Sequence, residues 1–198
     1  MSTLRISHAR CLAVAVLIAL VTLPSPTRAE ESREATCKVR DGQRDFDFLI
    51  GRWKVQVRRL KNPLHGSREW YEMTGISVVR PIWGGKGNIE EFEADGPTGH
   101  MQAIMVRLYS PTSRQWSLNW ANQKNGRFDV PTIGEFKNGR GEFYDHEPFE
   151  GRSILVRYVW SNITPTSGHF EQSYSADGGK TWEANWVAES TRIKQGAR

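Results

Sequence analysis

The residues of this chain that could carry out chemistry are few and scattered. Beyond residue 29 there are four histidines (His65, His100, His146 and His169) and a single cysteine, Cys37. None stands in the His-x-x-x-His or Cys-x-x-Cys spacing that a zinc site needs, so no metal site is expected. The nearest approach is Asp145-His146-Glu147, which would offer a cation a few ligands in a loop. The run Glu90-Glu91-Phe92-Glu93, followed by Asp95, raises the paired carboxylates of glycoside hydrolysis. On a strand, however, Glu91 and Glu93 share one face and Glu90 takes the other, so the run reads as decoration of an outer face or a rim. A hydrolase or isomerase would need titratable groups such as Glu72, Glu91, His100 and Glu171 to converge in one cavity. The sequence has no Gly-x-Ser-x-Gly elbow, and Gly84-Gly85-Lys86-Gly87 lacks the rest of a phosphate-binding loop. The chain reads as a binder more readily than as an enzyme.

The residues that suit binding lie in apolar, alternating segments. Trp120, Tyr158 and Trp186 offer rigid apolar walls, while Arg107, Gln172 and Tyr174 place polar groups among apolar neighbours, where they need partners. An apolar cavity with a few convergent polar groups is the usual form of a small-molecule site. These six residues are the candidate ligand-binding set, and no cofactor is expected with them.

The elements that must position them are strands. Trp53, Val55 and Val57 alternate with Lys54, Gln56 and Arg58, and Ile154, Val156, Tyr158 and Trp160 share one face of another segment. Similar segments cover 69–79, 88–93, 101–109, 116–120, 132–137, 140–145, 169–175 and 181–192, about ten strands in all. Short connections rich in Gly, Asn, Asp and Pro separate them, among them Lys137-Asn138-Gly139 and Asp177-Gly178-Gly179. Parallel strands need crossovers of a dozen residues or more, so these connections favour an antiparallel up-and-down order. A sheet of that many strands curls, and closing it removes its exposed edges. The expected fold is therefore all-β, an antiparallel up-and-down barrel spanning residues 45–193, with a short helical turn at 45–51 where the chain enters it. A sandwich is the alternative. A barrel of this size holds its own side chains and one small ligand.

Two motifs sharpen the expectation. Gly51-Arg52-Trp53 opens the first strand, and Thr191-Arg192 closes the last. An indole at the closed end, capped by the terminal cation, would seal the barrel, with Arg192 sharing the parity of Trp182, Trp186 and Ala188. Ser175, Asp177, Gly179, Thr181 and Trp182 fit the Asp-box pattern Ser-x-Asp-x-Gly-x-Thr-Trp, which is a hairpin device: glycines for positive φ, and an aspartate bonding the amides of its own turn. With these residues in place, the chain resembles the lipocalin-like (calycin) superfamily. More narrowly, it is similar to exported bacterial domains of unknown function that share the Asp45-to-Trp53 start and the Asp177-to-Trp186 and Thr191-Arg192 ending. The resemblance implies a closed or nearly closed barrel with a central cavity, and it supplies no activity. One lipocalin-like branch, the nitrobindins, ligates haem through a histidine, so a haem carrier using His100 or His169 is an alternative. This chain departs from the nitrobindin Gly-x-Trp-x-Gly-x-Gly start by reading Gly51-Arg52-Trp53-Lys54-Val55-Gln56.

Composition sets the context. The 198 residues carry 27 Lys and Arg against 22 Asp and Glu, with eight tryptophans and two cysteines. Residues 1–29 read as a secretory signal peptide. Arg5 and Arg10 precede an apolar run from Cys11 to Leu23, Pro24 and Pro26 break it, and Thr27-Arg28-Ala29 suits cleavage before Glu30. Cleavage would remove three arginines and no acid, leaving a net charge of +2 and Cys37 as the one thiol. Residues 30–44 read as a flexible lead-in and 194–198 as a tail. The expected mature protein is periplasmic or secreted, a monomer or homodimer without a membrane anchor. Its near-neutral, interleaved charge and lack of an RNA-recognition signature argue against nucleic acid as a partner.

Overall fold

The computed structural model describes residues 41–194. The leader, Cys37 and most of the lead-in lie outside the described residues, as do the last four. Ten strands follow one another: β1 (Gly51–Leu60), β2 (Trp70–Ile82), β3 (Gly87–Gly96), β4 (Gly99–Ser110), β5 (Gln115–Asn122), β6 (Thr132–Lys137), β7 (Arg140–Phe149), β8 (Arg152–Ser161), β9 (Ser167–Ser175) and β10 (Glu183–Arg192). Each pairs antiparallel with the next, and β1 pairs with β10, so the sheet is a closed up-and-down barrel. This is the lipocalin-like architecture expected from the alternating pattern. Inward positions are apolar and outward ones polar, as β1 shows: Trp53, Val55 and Val57 are buried, while Arg52, Lys54, Gln56 and Arg58 are exposed.

The ladders are unequal. β1 and β2 share ten register pairs, whereas β5 and β6 share only three, Trp116–Gly134, Ser117–Ile133 and Leu118–Thr132. The connection between β5 and β6 is long, and it folds back through an isolated bridge between Ala121 and Phe128. At Gly75 the neighbouring strand comes so close that a Cβ would lie 1.9 Å from the Glu93 carbonyl oxygen, so only glycine lets the sheet bend there.

One end of the barrel is shut by the segment before β1. A single 3₁₀ turn, Asp47–Leu49, stands where a short helical turn was expected. Phe46, just ahead of it, is completely buried, edge-on to Trp116 and Phe136 and stacked near Phe143. Residues 41–44, read from sequence as the end of a flexible lead-in, are tied to the barrel instead. The Gly42 amide donates to the Tyr109 hydroxyl (3.1 Å), and its carbonyl accepts from Trp116 Nε1 (2.9 Å).

Arg192 fastens this plug. Its guanidinium lies 4.1 Å from the centre of the Trp53 ring and donates to the carbonyls of Phe48 (2.5 Å), Ile50 (2.7 Å) and Pro165 (2.6 Å). Trp53 Nε1 in turn donates to the Leu49 carbonyl at 2.6 Å. Gly51 has a φ of 129°, and a Cβ there would stand 2.6 Å from Arg192 Nη1, so the approach of the guanidinium requires glycine.

Parity along β10 departs from the expected alternation. Asn185 is an extra residue between Ala184, which faces Ser173, and Trp186, which faces Gln172. This bulge reverses the faces on its N-terminal side. Trp186 and Ala188 line the interior, whereas Trp182, expected on the same face, lies outside against Arg157 (4.5 Å) and Tyr144. There the Asp-box residues form the turn before β10. Asp177 accepts from Ser175 Oγ (2.7 Å), the amides of Lys180 and Thr181 (both 3.0 Å) and Thr181 Oγ1 (2.6 Å), while the Gly179 amide donates to Ser175 Oγ at 2.8 Å. These bonds hold the Asp177 carboxyl well below the usual carboxylate range.

The Arg192 contacts define a measurable contribution. Three charge-assisted hydrogen bonds and a ring contact predict that Arg192→Ala costs about 2–4 kcal/mol in urea denaturation. Arg192→Lys recovers less than half of that, because an ammonium cannot reproduce the planar fork. Full recovery by lysine would show that charge alone fastens the plug.

Candidate functional site

Above the plug the inward side chains no longer fill the barrel. A cavity of about 270 Å³ opens there. All six residues singled out from the sequence lie on its wall: Arg107 (β4), Trp120 (β5), Tyr158 (β8), Gln172 and Tyr174 (β9) and Trp186 (β10). Phe92 from β3, Met105 from β4, Phe170 from β9 and Ala188 from β10 complete an apolar belt. The indoles of Trp120 and Trp186 meet edge to face with centres 5.7 Å apart, and Phe92 packs against both.

The floor is polar but internally balanced. Arg107, only 2% exposed, pairs with Glu90, and its Nη1 donates to Asn88 Oδ1 at 3.0 Å. Ser77 Oγ donates to the other oxygen of Glu90 at 2.5 Å. The guanidinium also sits over the rings of Phe46 (5.2 Å) and Trp160 (5.9 Å), which joins the cavity floor to the plug. Two donors here have no partner, Arg107 Nε and Trp160 Nε1. Glu90 thus belongs to the interior, although the glutamate run reads from sequence as outer decoration. Glu91, on the opposite face, binds Arg80 outside the barrel at 2.5 Å.

The mouth is different. Asp129, in the connection after β5, and Glu147 on β7 line it, together with Asn122, Asn125 and Arg59. Arg59 lies 4.3 Å above the Trp186 ring. Asp145 shares the inward face of β7 with Glu147 and is 7% exposed, and neither of its oxygens has a hydrogen-bond partner. Burial first, then the charges of Glu147 and Asp129, push its carboxyl from 3.8 up to about 8. Glu147 is raised as well, by burial and by Asp129. Tyr174 is pushed up to about 12, chiefly by burial and then by Glu147. Asp145-His146-Glu147 therefore forms part of a strand, not a loop. Among the described residues no group of three or more His, Cys, Asp or Glu has a metal-binding arrangement.

Sequence reasoning missed Arg59, Asp129 and Glu147. Parity held a signal for two of them, since Arg59 continues the face of Trp53, Val55 and Val57, and Glu147 that of Phe143. It held none for Asp129, which a connecting segment delivers. The residues considered for catalysis do not converge: Glu72 and Glu91 are exposed, His100 bonds Asp95 outside the barrel at 2.8 Å, and Glu171 lies near Arg157 at 3.8 Å. His169, the other candidate haem ligand, bonds Glu189 at 2.6 Å, and no described histidine reaches the cavity wall.

No family model matches the chain, and no curated protein does. Among solved structures it is similar to the S-type phycobiliprotein lyase CPES from Guillardia theta, with 12% identity, a TM-score of 0.51, and coverage of 79% of this chain and 95% of that one. A redesigned β-barrel, mFAP0, bound to DFHBI also matches, at 12% identity and a TM-score of 0.41, covering 73% of this chain and 99% of that one. The first likeness agrees with a lipocalin-like barrel fold.

The buried carboxyls give the fold a pH dependence of known sign. Asp145 binds its proton more tightly folded than unfolded, so its contribution to stability is greatest in acid and falls as pH rises from about 4 towards 8. Asp145→Asn is expected to flatten that fall by up to about 1.4 kcal/mol per pH unit, read from urea denaturation between about pH 5 and pH 8. An unchanged slope would mean that the carboxyl ionises normally.

Proposed function

We propose that this protein is an exported binding barrel that holds a small, partly apolar molecule in its central cavity. The observation that carries this reading is the cavity itself. Its volume of about 270 Å³ exceeds the roughly 150 Å³ known to accept benzene in a protein interior. A belt of tryptophan, tyrosine and phenylalanine supplies the apolar contact, and Gln172, Tyr174 and the floor and mouth groups supply orientation. The dispersal of Glu72, Glu91, His100 and Glu171 favours binding over hydrolysis or isomerisation. The outward histidines disfavour a haem carrier of the nitrobindin kind. The similarity to a phycobiliprotein lyase supports a barrel that accommodates a guest. Export rests on the leader, and the polar outer face of β1 suits aqueous surroundings once the leader is cut.

Protein purified from its own host should appear in native mass spectrometry with a bound small molecule, and its N-terminus should be Glu30. Ala188→Phe places a ring in the cavity and should abolish the bound mass while leaving the circular dichroism spectrum intact. Wild-type protein that is always ligand-free, or a guest retained in A188F, would overturn the assignment.

A further inference from the structure

The two polar ends of the cavity differ in how their charges are met. At the floor, Arg107 and Glu90 neutralise each other. At the mouth, Asp129 and Glu147 line the opening, and Asp145 is buried behind them with no partner for either oxygen. The elements facing this group contribute Tyr158 from β8, Tyr174 from β9, Thr132 from β6 and Arg59 from β1. Thr132 Oγ1 has no partner either. Arg59 supplies the sole positive charge among these groups. It rests on the Trp186 ring and forms no salt bridge with the three carboxylates.

A buried carboxylate without a counter-charge is costly. The protein carries that cost in full at Asp145 and in part at half-buried Glu147, with half-buried Asp129 beside them at the same opening. A cation arriving from outside would offset it. The spacing does not suit a bare metal ion, since the described acidic residues form no metal-binding group. It does suit a larger cation whose charge is borne on an organic frame. The walls next to the carboxylates carry the aromatic rings of Trp120, Trp186 and Tyr174, and Arg59 on the Trp186 ring shows that a cation is accepted against this aromatic wall.

We infer that the molecule held in this cavity is an organic cation, a protonated amine on a flat apolar body. The amine sits between Asp129 and Glu147 with Asp145 behind them, and the body lies against Trp120 and Trp186. This rests on the reading of the barrel as a small-molecule binder and narrows its ligand to one charge class. Binding of the amine favours the ionised carboxylates, so it releases protons and strengthens as pH rises.

Three indoles of similar size test it by calorimetry on the leader-free protein: tryptamine, which is cationic, 3-methylindole, which is neutral, and indole-3-propionate, which is anionic. Tryptamine is expected to bind at least about tenfold more tightly than the other two. Its affinity should rise between about pH 5 and pH 8, with proton release visible as a heat that depends on the buffer. The double variant Asp129→Asn, Glu147→Gln should lose that preference and keep its affinity for 3-methylindole, which also reports that it is folded. If 3-methylindole binds as well as tryptamine, the cation assignment fails and the binding barrel stands. If indole-3-propionate binds most tightly, the arginines select the guest and the cation assignment again fails. If none of the three binds, the cation assignment fails, and the binding barrel stands or falls by the mass carried by protein from its own host.

Discussion

A guanidinium placed between the first and last strands decides what the rest of the molecule can be. Closing a ten-strand ring requires β10 to return to β1, and any sheet that curls enough brings them together. Shutting one end of the ring is a separate matter, and Arg192 does it. By donating to carbonyls of Phe48, Ile50 and Pro165 it joins the segment before β1 to the turn between β8 and β9. Phe46 is thereby held at the centre of the lower barrel, where five aromatic neighbours use up the space. The unused volume is displaced to the other half, so the cavity's position follows from which end is sealed.

The interior is graded along the barrel axis. Next to the plug, Arg107 and Glu90 neutralise each other, Arg192 is met by backbone carbonyls, and the guanidinium of Arg107 lies over the rings of Phe46 and Trp160. Further up, the walls are aromatic and nearly devoid of charge. At the rim, negative groups outnumber positive ones, and burial makes Asp145 and Glu147 hold their protons more tightly than they would in water. Such an arrangement is poor for folding stability and is retained at a mouth rather than in the packed half. A site that tolerates unfavourable desolvation before a guest arrives has that much more to gain when it does.

Much of this was legible in the sequence, because alternation with period two is unambiguous in a barrel with one dry face. The ten strands, their antiparallel order, the Trp53–Arg192 pairing and the Asp-box turn all rest on local signals. Legibility ended where a single residue changed the count or where polarity misled. Nothing in the Ala184-Asn185-Trp186 sequence announces a bulge, yet it separates Trp182 from Trp186 by a whole sheet thickness. Glu90, Glu147 and Arg59 read as solvent-facing because charge is normally a surface property. Their inward placement depends on neighbours contributed by distant strands. Phe46 lies in what reads as a short entry turn, and its role as a plug depends on tertiary packing that the sequence does not display.

The short ladder between β5 and β6 has a mechanical meaning. In a closed ring every seam bears the same strain in series, and the ring parts where the fewest bonds resist. Three register pairs hold this seam against ten at β1–β2. Parting them would turn the barrel wall into a slit beside the β5–β6 connection, with Asn125 and Asp129 on its lip. A body too broad for the mouth would then have a side door, edged by the amide of Asn125 and the carboxyl of Asp129.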